Sequence, residues 1–359
     1  MEAPPDAHDL ACVVHVHSNY SDGTATVPEI IAAARRNAVD VVLLTDHDSL
    51  EARRAGWEAW HDSVLLLVGH EISPRGGHFL AFGLDEEVAH DGLSEEEICR
   101  TVSARGGFGF AAHPFSEGSR ISTLIGRPHP WRSIEHCHDA GIELWSLVTD
   151  AAEAWRNPAE LFAFVRDPRR ALDGPPVRHL QHWDALCARR RVTAIGGLDA
   201  HQTGFRLGER VFSPFPHDRF FGYLHTRVLC DEAPTGRLDH DRALVYGALR
   251  AGQCYLALEA FGSARGFRFW AVRNGETLPM GAQADAGDWQ LRAVVPRAAR
   301  MLVMRDGEPV VEVEGNSVEY EAHERGVYRL EARIKAEGRE RIWILSNPIY
   351  LRPSTGSSQ

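Results

Sequence analysis

The sequence predicts a mixed α/β protein in which a parallel sheet with outer helices is followed by a smaller all-β domain. Over the first two thirds of the chain, strand-sized apolar runs alternate with helical stretches, as expected for buried parallel strands. Most of these runs end in histidine, aspartate or glutamate. After about residue 262, short alternating segments follow one another without a helix-length pattern, which indicates an all-β part.

The apolar runs of the first part set the order of its strands, of which we count seven as principal strands. They are ACVVHV (11–16), VDVVLLT (39–45), VLLLVG (64–69), GFGFAA (107–112), GIELWSL (141–147), VTAIGGL (192–198) and YLHTRVLC (223–230), with HFLAFGL (78–84) as a second short strand after the turn SPRGG. Candidate helices lie at 28–37, near 50–60, from Ser94 onward, and near 151–165, 179–191 and 239–251. Ser94 opens SEEE, which fits a capping box. This alternation favours a parallel sheet, and an open doubly wound sheet fits it as well as a closed barrel.

The second part is predicted to be an all-β, sandwich-like domain. Its segments are GFRFWAV, WQLRAVV, RMLVMRDGEPVVEV, SVEYEA, GVYRLEARI and RIWILSN. Asp306 and Gly307, between two apolar runs, are a strong hairpin signal. We therefore predict a main domain at 1–260, in which 115–190 is partly a loop and helical insertion, and a β-domain at 262–352. Residues 353–359 (PSTGSSQ) are predicted to be a disordered tail.

Composition and charge narrow the classes of partner. The chain has 359 residues, of which 44% are hydrophobic and 25% charged, as in an ordinary soluble globular protein. The net charge of −11 disfavours nonspecific binding to nucleic acid, although a local basic pocket stays possible. No apolar run is long enough to cross a membrane and no secretion signal is recognisable, so we expect no membrane partner and a cytoplasmic location. The six scattered cysteines are predicted to be reduced structural thiols.

The positions of the histidines point to a shared site. His15 and His17 are separated by one valine, so in a strand both imidazoles face the same side. Other polar residues also stand where apolar runs end. They are Asp46, His47, Glu71, His113, Asp199 and His201. Because the carboxyl ends of parallel strands converge on one face of a barrel or sheet, we expect these side chains to meet there.

The residue types then predict metal chemistry. Imidazoles mixed with carboxylates favour zinc, manganese or iron over calcium or magnesium. So many ligands at one pocket imply more than one ion, and a carboxylate such as Glu71 can bridge two. Taken singly, each residue has an ordinary structural interpretation; TDH at 45–47, for example, would be a helix N-cap cluster. Their shared placement favours a metal site, and no P-loop, GxSxG elbow or dinucleotide fingerprint competes with it.

At this point the pattern resembles the PHP (polymerase and histidinol phosphatase) family of metal hydrolases. The matching signatures are HVHSNYSDG at 15–23, TDHD at 45–48, GHE at 69–71, AHP at 112–114 and DAH at 199–201. The stretches HTRV at 225–228, ALRAG at 248–252 and SNPIY at 346–350 look like the CehA/McbA-type branch, in which a β-domain follows the PHP domain. The resemblance implies a distorted seven-stranded (β/α) PHP barrel with a C-terminal β-domain.

The resemblance also implies two to three divalent transition-metal ions (Mn, Zn or Fe) and their ligands. The implied ligands are His15, His17, Glu71 and Asp199 for one ion, Glu71, His78 and His113 for a second, and Asp22, His47 and His201 for a third. His78 is matched only by its place in the strand after GHE, and a surface histidine on an edge strand is its alternative. Four histidines match no motif and are interpreted as surface or pocket residues. They are His70, His129, His136 and His138.

The reaction expected at such a centre is hydrolysis. A hydroxide that bridges two ions would attack the substrate, Asp199 would orient or deprotonate that water, and His201 would protonate the leaving group. Arg127 and Arg206 are candidate phosphate-binding residues. The favoured function is a phosphoesterase acting on a small phosphorylated metabolite or nucleotide. The alternatives are a carboxylester or carbamate hydrolase with the same site, and a non-catalytic accessory or binding module.

Overall fold

The computed structural model describes residues 6–122, 126–208 and 210–353, with the side chains of 205, 206, 210 and 211 outside the description. The predicted tail at 353–359 therefore lies almost wholly outside the described residues. Within the described part, no helix combines the length and the apolar character that a bilayer-spanning segment needs.

The helices of the described residues follow the predicted order. They are α1 (Val27–Arg36), α2 (Glu51–Arg54), α3 (Glu95–Ala104), α4 (Leu147–Ala154), α5 (Pro158–Arg166), α6 (Val177–Arg189), α7 (His217–Phe220) and α8 (Leu238–Ala251), with 3-10 helices at Ile134–His136, Pro168–Ala171 and Glu259–Phe261. The capping box is confirmed, because the Ser94 side chain accepts from the Glu97 amide while the Glu97 carboxylate accepts from the Ser94 amide. The helix predicted near 50–60 is wrong in length, since α2 has only 4 residues. The stretch predicted near 151–165 is split by Asn157, which caps α5.

The strands of the described residues fall into a first and a second group along the chain. The first are β1 (His8–Val16), β2 (Val41–His47), β3 (Ala59–His61), β4 (Val64–Ile72), β5 (Phe79–Phe82), β6 (Phe108–Ala111), β7 (Gly141–Ser146), β8 (Ala194–Gly197), β9 (Phe205–Leu207), β10 (Arg210–Phe212), β11 (Leu224–Cys230) and β12 (Cys254–Leu258). The second are β13 (Arg268–Arg273), β14 (Glu276–Pro279), β15 (Gln283–Ala284), β16 (Trp289–Arg305), β17 (Glu308–Ala322), β18 (Gly326–Ala336), β19 (Arg339–Ser346) and β20 (Ile349–Leu351).

Strand pairing in the first group brings the ends of distant segments together. The order β1–β2–β4–β5–β6–β7–β8 returns to β1 through the bridge between Val16 and Ala200. The Leu198 amide donates to the Val14 carbonyl at 2.9 Å, and the His17 amide donates to the Ala200 carbonyl at 2.9 Å. The amino-terminal half of β1, from His8 to Cys12, pairs with β11. The amino end of β8 thus stands beside β11 and β12, while its carboxyl end stands beside β1.

The expectation of an all-parallel sheet is wrong at two places. β5 runs antiparallel to both β4 and β6, because only the short turn at 73–78 separates it from β4 and leaves no room for a crossover helix. β11 runs antiparallel to β1 and continues antiparallel into β12. The remaining pairs, β1–β2, β2–β4, β6–β7 and β7–β8, are parallel as predicted.

The second group forms a β-rich C-terminal part. The predicted hairpin is confirmed, since β16 and β17 pair antiparallel around Asp306 and Gly307, both at positive φ. Two predicted segments, WQLRAVV and RMLVMR, merge into the 17-residue strand β16, whose pairing shifts register between Val294 and Ala299. β19 pairs with β12, so this part continues the sheet of the first part.

Buried residues divide into an inner and an outer layer around the first group of strands. Alternate residues of β1 show the division, because Cys12 and Val14 lie in the cluster enclosed by the strands. Val13 instead packs in the outer cluster with Ile30 of α1. A third cluster fills the C-terminal part around Trp289, Trp343 and neighbouring apolar residues.

Asn347 fastens the C-terminal part to the first. Its side chain is fully buried, with Oδ1 accepting from the Ala194 amide at 2.7 Å. Its Nδ2 donates to the carbonyls of Ala194 at 2.9 Å and Cys254 at 2.7 Å. One amide side chain therefore satisfies backbone groups of β8 and β12 that have no water available. This gives a physical reason for an asparagine in the stretch SNPIY.

We predict that Asn347→Ala lowers the free energy of unfolding by about 2–4 kcal/mol, because three buried backbone groups lose their partner. Chemical denaturation followed by circular dichroism measures the change. Asn316, which is exposed on β17, is the control, and Asn316→Ala should leave the midpoint unchanged. Equal stability of the two variants would contradict the role given to Asn347.

Candidate metal centre

Nine side chains from separate segments meet where the strands of the first group end. They are His15, His17, Asp22, His47, Glu71, His78, His113, Asp199 and His201, the set implied by the resemblance. Their donor atoms fall into four overlapping groups in which all atoms lie within 4.8 Å of one another. The convergence of the strand ends is therefore present in the structure, while the role of each residue as a ligand stays a prediction.

A break in the regular alternation of β1 turns its two histidines inward. Because Cys12 and Val14 face the enclosed cluster, an unbroken strand would turn Val16 inward and both histidines outward. His15 instead has φ +63°, and the pairing with β2 shifts register between Val14 and Val16. Val16 consequently packs in the outer cluster while His15 and His17 point to the centre.

Two further residues of the centre adopt the same left-handed backbone. His113 has φ +30° and Asp199 has φ +51°. A side chain other than glycine pays about 1–3 kcal/mol for such a conformation, so it persists only where other contacts enforce it. Each of these residues lies two residues beyond the end of an apolar strand, and the local turn redirects its side chain from the sheet surface to the shared centre.

The carboxylate of Glu71 lies at the middle of the cluster. Its Oε2 is 3.1 Å from His47 Nδ1, 3.2 Å from His15 Nε2 and 3.4 Å from His17 Nε2. Its Oε1 is 2.9 Å from His78 Nδ1 and 3.3 Å from His113 Nε2. Glu71 is fully buried, so two sets of imidazoles share a single carboxylate. This arrangement suits a ligand that bridges two cations.

Asp199 and Asp22 form the more open side of the cluster. Asp199 Oδ1 is 3.4 Å from His15 Nε2 and 3.6 Å from His201 Nδ1. Asp22 Oδ1 is 3.2 Å from His201 Nε2, and the Asp22 side chain is 59% exposed. The imidazoles of His17 and His201 stack with ring centres 3.9 Å apart. His201 therefore lies between the two carboxylates, at the rim of the site.

The spatial groups agree only in part with the implied ligand sets. His15, His17 and Asp199 form one group, and Glu71 approaches both histidines. Asp22, His47 and His201, the third implied set, also form one group, and His17 belongs to this group as well. For the second set, the structure groups His113 with His15 and Glu71, and His78 with His47 and Glu71. The surface alternative for His78 is wrong, because the residue is only 8% exposed.

The donor atoms of the cluster fit divalent cations. Several buried atoms have no hydrogen-bond partner among the described residues. They are His15 Nε2, His17 Nδ1 and Nε2, His113 Nδ1 and Glu71 Oε2. A buried polar atom without a partner costs about 1–3 kcal/mol, so several at one point are expected only where something else binds them. Imidazole nitrogens and carboxylate oxygens are the donors that zinc, manganese and iron prefer.

The pKa shifts within the cluster predict that metal binding releases protons. Burial alone would raise the pKa of Glu71, but His15 and His78 outweigh it and hold that pKa well below its usual value. Burial lowers the pKa of His17, and His201 lowers it further. Burial also opposes protonation of His201, yet Asp22 and Asp199 raise its pKa to about 9. Cations that displace the His201 proton should thus bind more tightly as the pH rises.

Glu143, which the motif analysis did not single out, holds two members of the cluster. Its Oε1 is 2.9 Å from His15 Nδ1, and its Oε2 accepts from the His113 amide at 2.8 Å. Such a carboxylate fixes the orientation of an imidazole whose other nitrogen faces a metal. A Cβ on Gly197 would lie 1.8 Å from Glu143 Oε1, so glycine is required there. A lone acidic residue inside the apolar run GIELWSL was the available signal.

Asp46 plays the same supporting role for the loop that carries Asp22. Its Oδ1 accepts from the Ser18 amide at 2.7 Å and from the Ser21 hydroxyl at 2.6 Å, and its Oδ2 accepts from the Ser18 hydroxyl at 2.7 Å. The aspartate of the TDH stretch thus faces the loop rather than the centre. It explains the two serines in the first signature.

The cluster opens into a cavity of about 550 Å³. Arg127 lines the cavity, as the phosphate-binding hypothesis requires, whereas the side chain of Arg206 lies outside the described residues. His129 also lines it, with its ring centre 4.1 Å from that of His78. His70 is fully buried and is neither a surface nor a pocket residue, because the carboxyl half of β4 is covered on both faces. His136 and His138 are exposed, as predicted.

Comparison with known proteins agrees with the first three PHP signatures, at 15–23, 45–48 and 69–71. The family model of the PHP domain matches residues 14–103, which include six of the nine clustered residues. No curated protein matches the chain. The protein is thus of mixed α/β class, with a match to the PHP domain over residues 14–103 and a large β-rich C-terminal part.

Three solved structures are similar to the chain. A two-domain protein from Bacteroides vulgatus ATCC 8482, containing a predicted PHP-like metal-dependent phosphoesterase, is 16% identical; the match covers 96% of this chain and 97% of that one, with a TM-score of 0.45. A predicted metal-dependent phosphoesterase from Bifidobacterium adolescentis ATCC 15703 is 17% identical over 59% and 94% of the chains, with a TM-score of 0.36. An amidohydrolase from Chromobacterium violaceum is 18% identical over 56% and 89%, with a TM-score of 0.31.

We predict that Glu143→Ala weakens binding of the divalent cation about 10–100-fold, because His15 loses the group that orients it. Calorimetric titration of metal-free protein with zinc or manganese measures the affinity. Glu96→Ala, at an exposed position of α3, should bind as tightly as the wild type. A folded Glu143→Ala protein with unchanged affinity would show that His15 needs no such support.

Proposed function

We propose that the protein is a metal-dependent phosphoesterase that hydrolyses a small phosphorylated metabolite or nucleotide. The observation that carries this proposal is the cluster around Glu71, in which several buried nitrogen and oxygen atoms have no hydrogen-bond partner among the described residues. The PHP match over the first part of the chain supports it. In this proposal the ring of strands closed by Val16 and Ala200 is the distorted seven-stranded PHP barrel, and the C-terminal part corresponds to the CehA/McbA-type branch.

Two to three divalent ions (Mn, Zn or Fe) would be held by the nine clustered side chains, with Glu71 shared between two of them. When bound, such ions act as Lewis acids toward a phosphoryl oxygen and lower the pKa of coordinated water. The chain has to supply a fixed geometry for them. Glu143 and Asp46 do so by holding His15 and the Asp22 loop in place.

Asp199 is placed to orient the attacking water. Its side chain is 15% exposed, and its Oδ2 accepts from the hydroxyl of Thr149. The Thr149 hydrogen bond leaves Oδ1 directed at His15 and His201. A carboxylate fixed in this way can accept a proton from water as the new bond to the substrate forms.

In this proposal, His201 protonates the leaving group when two ions are bound and the third set of ligands is free. It lies at the rim between Asp22 and Asp199, and its side chain is 21% exposed. The two carboxylates favour its protonated form, which a general acid needs before the bond breaks. Arg127, which also lines the cavity, would then pair with a substrate phosphate oxygen.

A second candidate, hydrolysis of a carboxylester or carbamate at the same site, is favoured by one wall of the cavity. Val148, Ala152 and Trp155 lie at helical spacing along the same face of α4 and its end, and Leu161 and Phe215 extend this wall. Among the described lining residues, Arg127 is the one cation besides histidines. An uncharged ester with an apolar group would fit this surface. The full set of donors argues against a purely accessory role.

We predict that purified protein loaded with manganese, zinc or ferrous iron contains two to three ions per chain by elemental analysis. His47→Ala and Glu71→Ala should lose metal and turnover together, because both side chains approach the same centre. His136→Ala is the matched control, since that imidazole is 62% exposed and remote from the cluster, and it should retain both properties. Protein that takes up no transition metal would end the proposal.

We further predict that p-nitrophenyl phosphate and nucleoside bisphosphates are hydrolysed faster than naphthyl acetate and aryl carbamates. Initial rates on metal-reconstituted protein measure the preference. Arg127→Ala should raise KM for the phosphate substrates more than kcat falls, because the arginine binds rather than reacts. Arg132→Ala is the control, as this exposed residue does not line the cavity. Faster carbamate turnover would favour the second candidate function, hydrolysis of a carboxylester or carbamate.

A further inference from the structure

Two cysteines meet behind one wall of the cavity. Cys99 lies on the buried face of α3, and Cys137 directly follows the 3-10 helix Ile134–His136. Their Sγ atoms are 2.7 Å apart, and the two residues are 7% and 1% exposed. The sequence interpretation of isolated reduced thiols therefore leaves this pair unexplained, because 38 positions separate the two residues in the chain.

The other four cysteines have different surroundings. Cys12, Cys187 and Cys254 each place their sulfur against a backbone carbonyl oxygen, at 3.8–3.9 Å. Cys230 is buried in the enclosed cluster. All six cysteines are buried, and among the described residues Cys99 and Cys137 are the pair whose thiols are in contact.

Glu95, at the start of α3, holds this helix against the segment that carries Cys137. Its Oε2 accepts from the amides of Arg132 at 2.8 Å and Ser133 at 2.9 Å. Its backbone carbonyl oxygen lies 3.8 Å from Cys137 Sγ. These contacts hold the two sulfurs 2.7 Å apart, close to the S–S bond length of about 2.05 Å in a protein disulfide.

The described residues of 114–122 and 126–137 form one wall of the cavity. Ser116, Gly118, Arg127 and His129 belong to this wall. Trp131 ties it to the centre, because its indole nitrogen donates to the His78 carbonyl at 2.8 Å. Cys137 is the carboxyl end of this wall, so a covalent bond there would attach the wall to α3.

We propose that Cys99 and Cys137 form a reversible disulfide that fastens the carboxyl end of the cavity wall to α3. The oxidant in this reaction is a low-molecular-weight disulfide such as glutathione disulfide. One thiolate attacks it, forms a mixed disulfide and releases one glutathione; the second protein thiol then displaces the other glutathione. The two cysteines lose two hydrogens and two electrons, and one glutathione disulfide becomes two glutathione thiols.

The surroundings of the pair predict slow closure. The hydrogen bond to Cys137 and burial both raise the pKa of the Cys99 thiol, so little thiolate is present at neutral pH. The guanidinium of Arg190, which donates to the carbonyls of Ile134 and Ala140, acts in the opposite direction and favours the thiolate. Brief opening of the wall would expose the pair to the oxidant.

The test is incubation of the whole folded protein in a series of glutathione redox buffers, followed by alkylation, unfolding and peptide mapping without reductant. We expect a peptide pair joined through Cys99 and Cys137, with the other four cysteines alkylated. Oxidised protein should melt several degrees higher than reduced protein, because the bond closes a long loop in the unfolded chain. Protease cleavage within 114–137 should also slow.

Variants separate this bond from general oxidation. Cys99→Ser and Cys137→Ser should each abolish both the joined peptide and the thermal shift, whereas Cys187→Ser, a buried thiol on a backbone carbonyl, should keep them. A repeat in a urea concentration below the unfolding transition admits the oxidant to the buried pair. All six thiols still free under that condition, or joined peptides that involve other cysteines, would overturn the proposal.

Discussion

The buried carboxylate of Glu71 is the constraint on which the rest of the site depends. Five imidazoles approach its two oxygens at 2.9–3.4 Å. A carboxylate removed from water at this depth costs several kcal/mol unless matching positive charge surrounds it. Neutral imidazoles supply no net charge, and protonating several of them at once would set like charges against one another. Divalent cations resolve this conflict, because they take the free electron pairs of nitrogen and oxygen donors together.

Backbone conformation, rather than side-chain identity alone, aims these donors. His15, His113 and Asp199 leave regular strand geometry at positive φ, which changes the face to which each side chain points. The unfavourable torsions are offset by local bonds, such as those from Glu143 to His15 and to the His113 amide. The same residues therefore hold both the strained backbone and the donor geometry. Glycine at 197 leaves the space that this carboxylate needs.

Much of this could be predicted because polar residues at apolar strand ends are visible in the sequence. The alternation rule correctly placed His15 and His17 on one side of β1. It does not predict the bulge that turns this side toward the centre. Glu143 was missed, since a single acidic residue within an apolar run has no spacing partner that reveals its contact with His15. The antiparallel β5 and the contact between Cys99 and Cys137 depend on long-range packing, which local periodicity does not encode.

The bond between Asn347 and Ala194 gives the C-terminal part a mechanical role. Ala194 begins β8, and Asp199 lies two residues beyond its end. Because Asn347 fixes the start of β8, it also fixes the strand whose far end leads to the carboxylate in the cluster. The β-rich part thus helps to position Asp199, and we expect that exchanging it for that of another protein would change the affinity of the site for divalent cations.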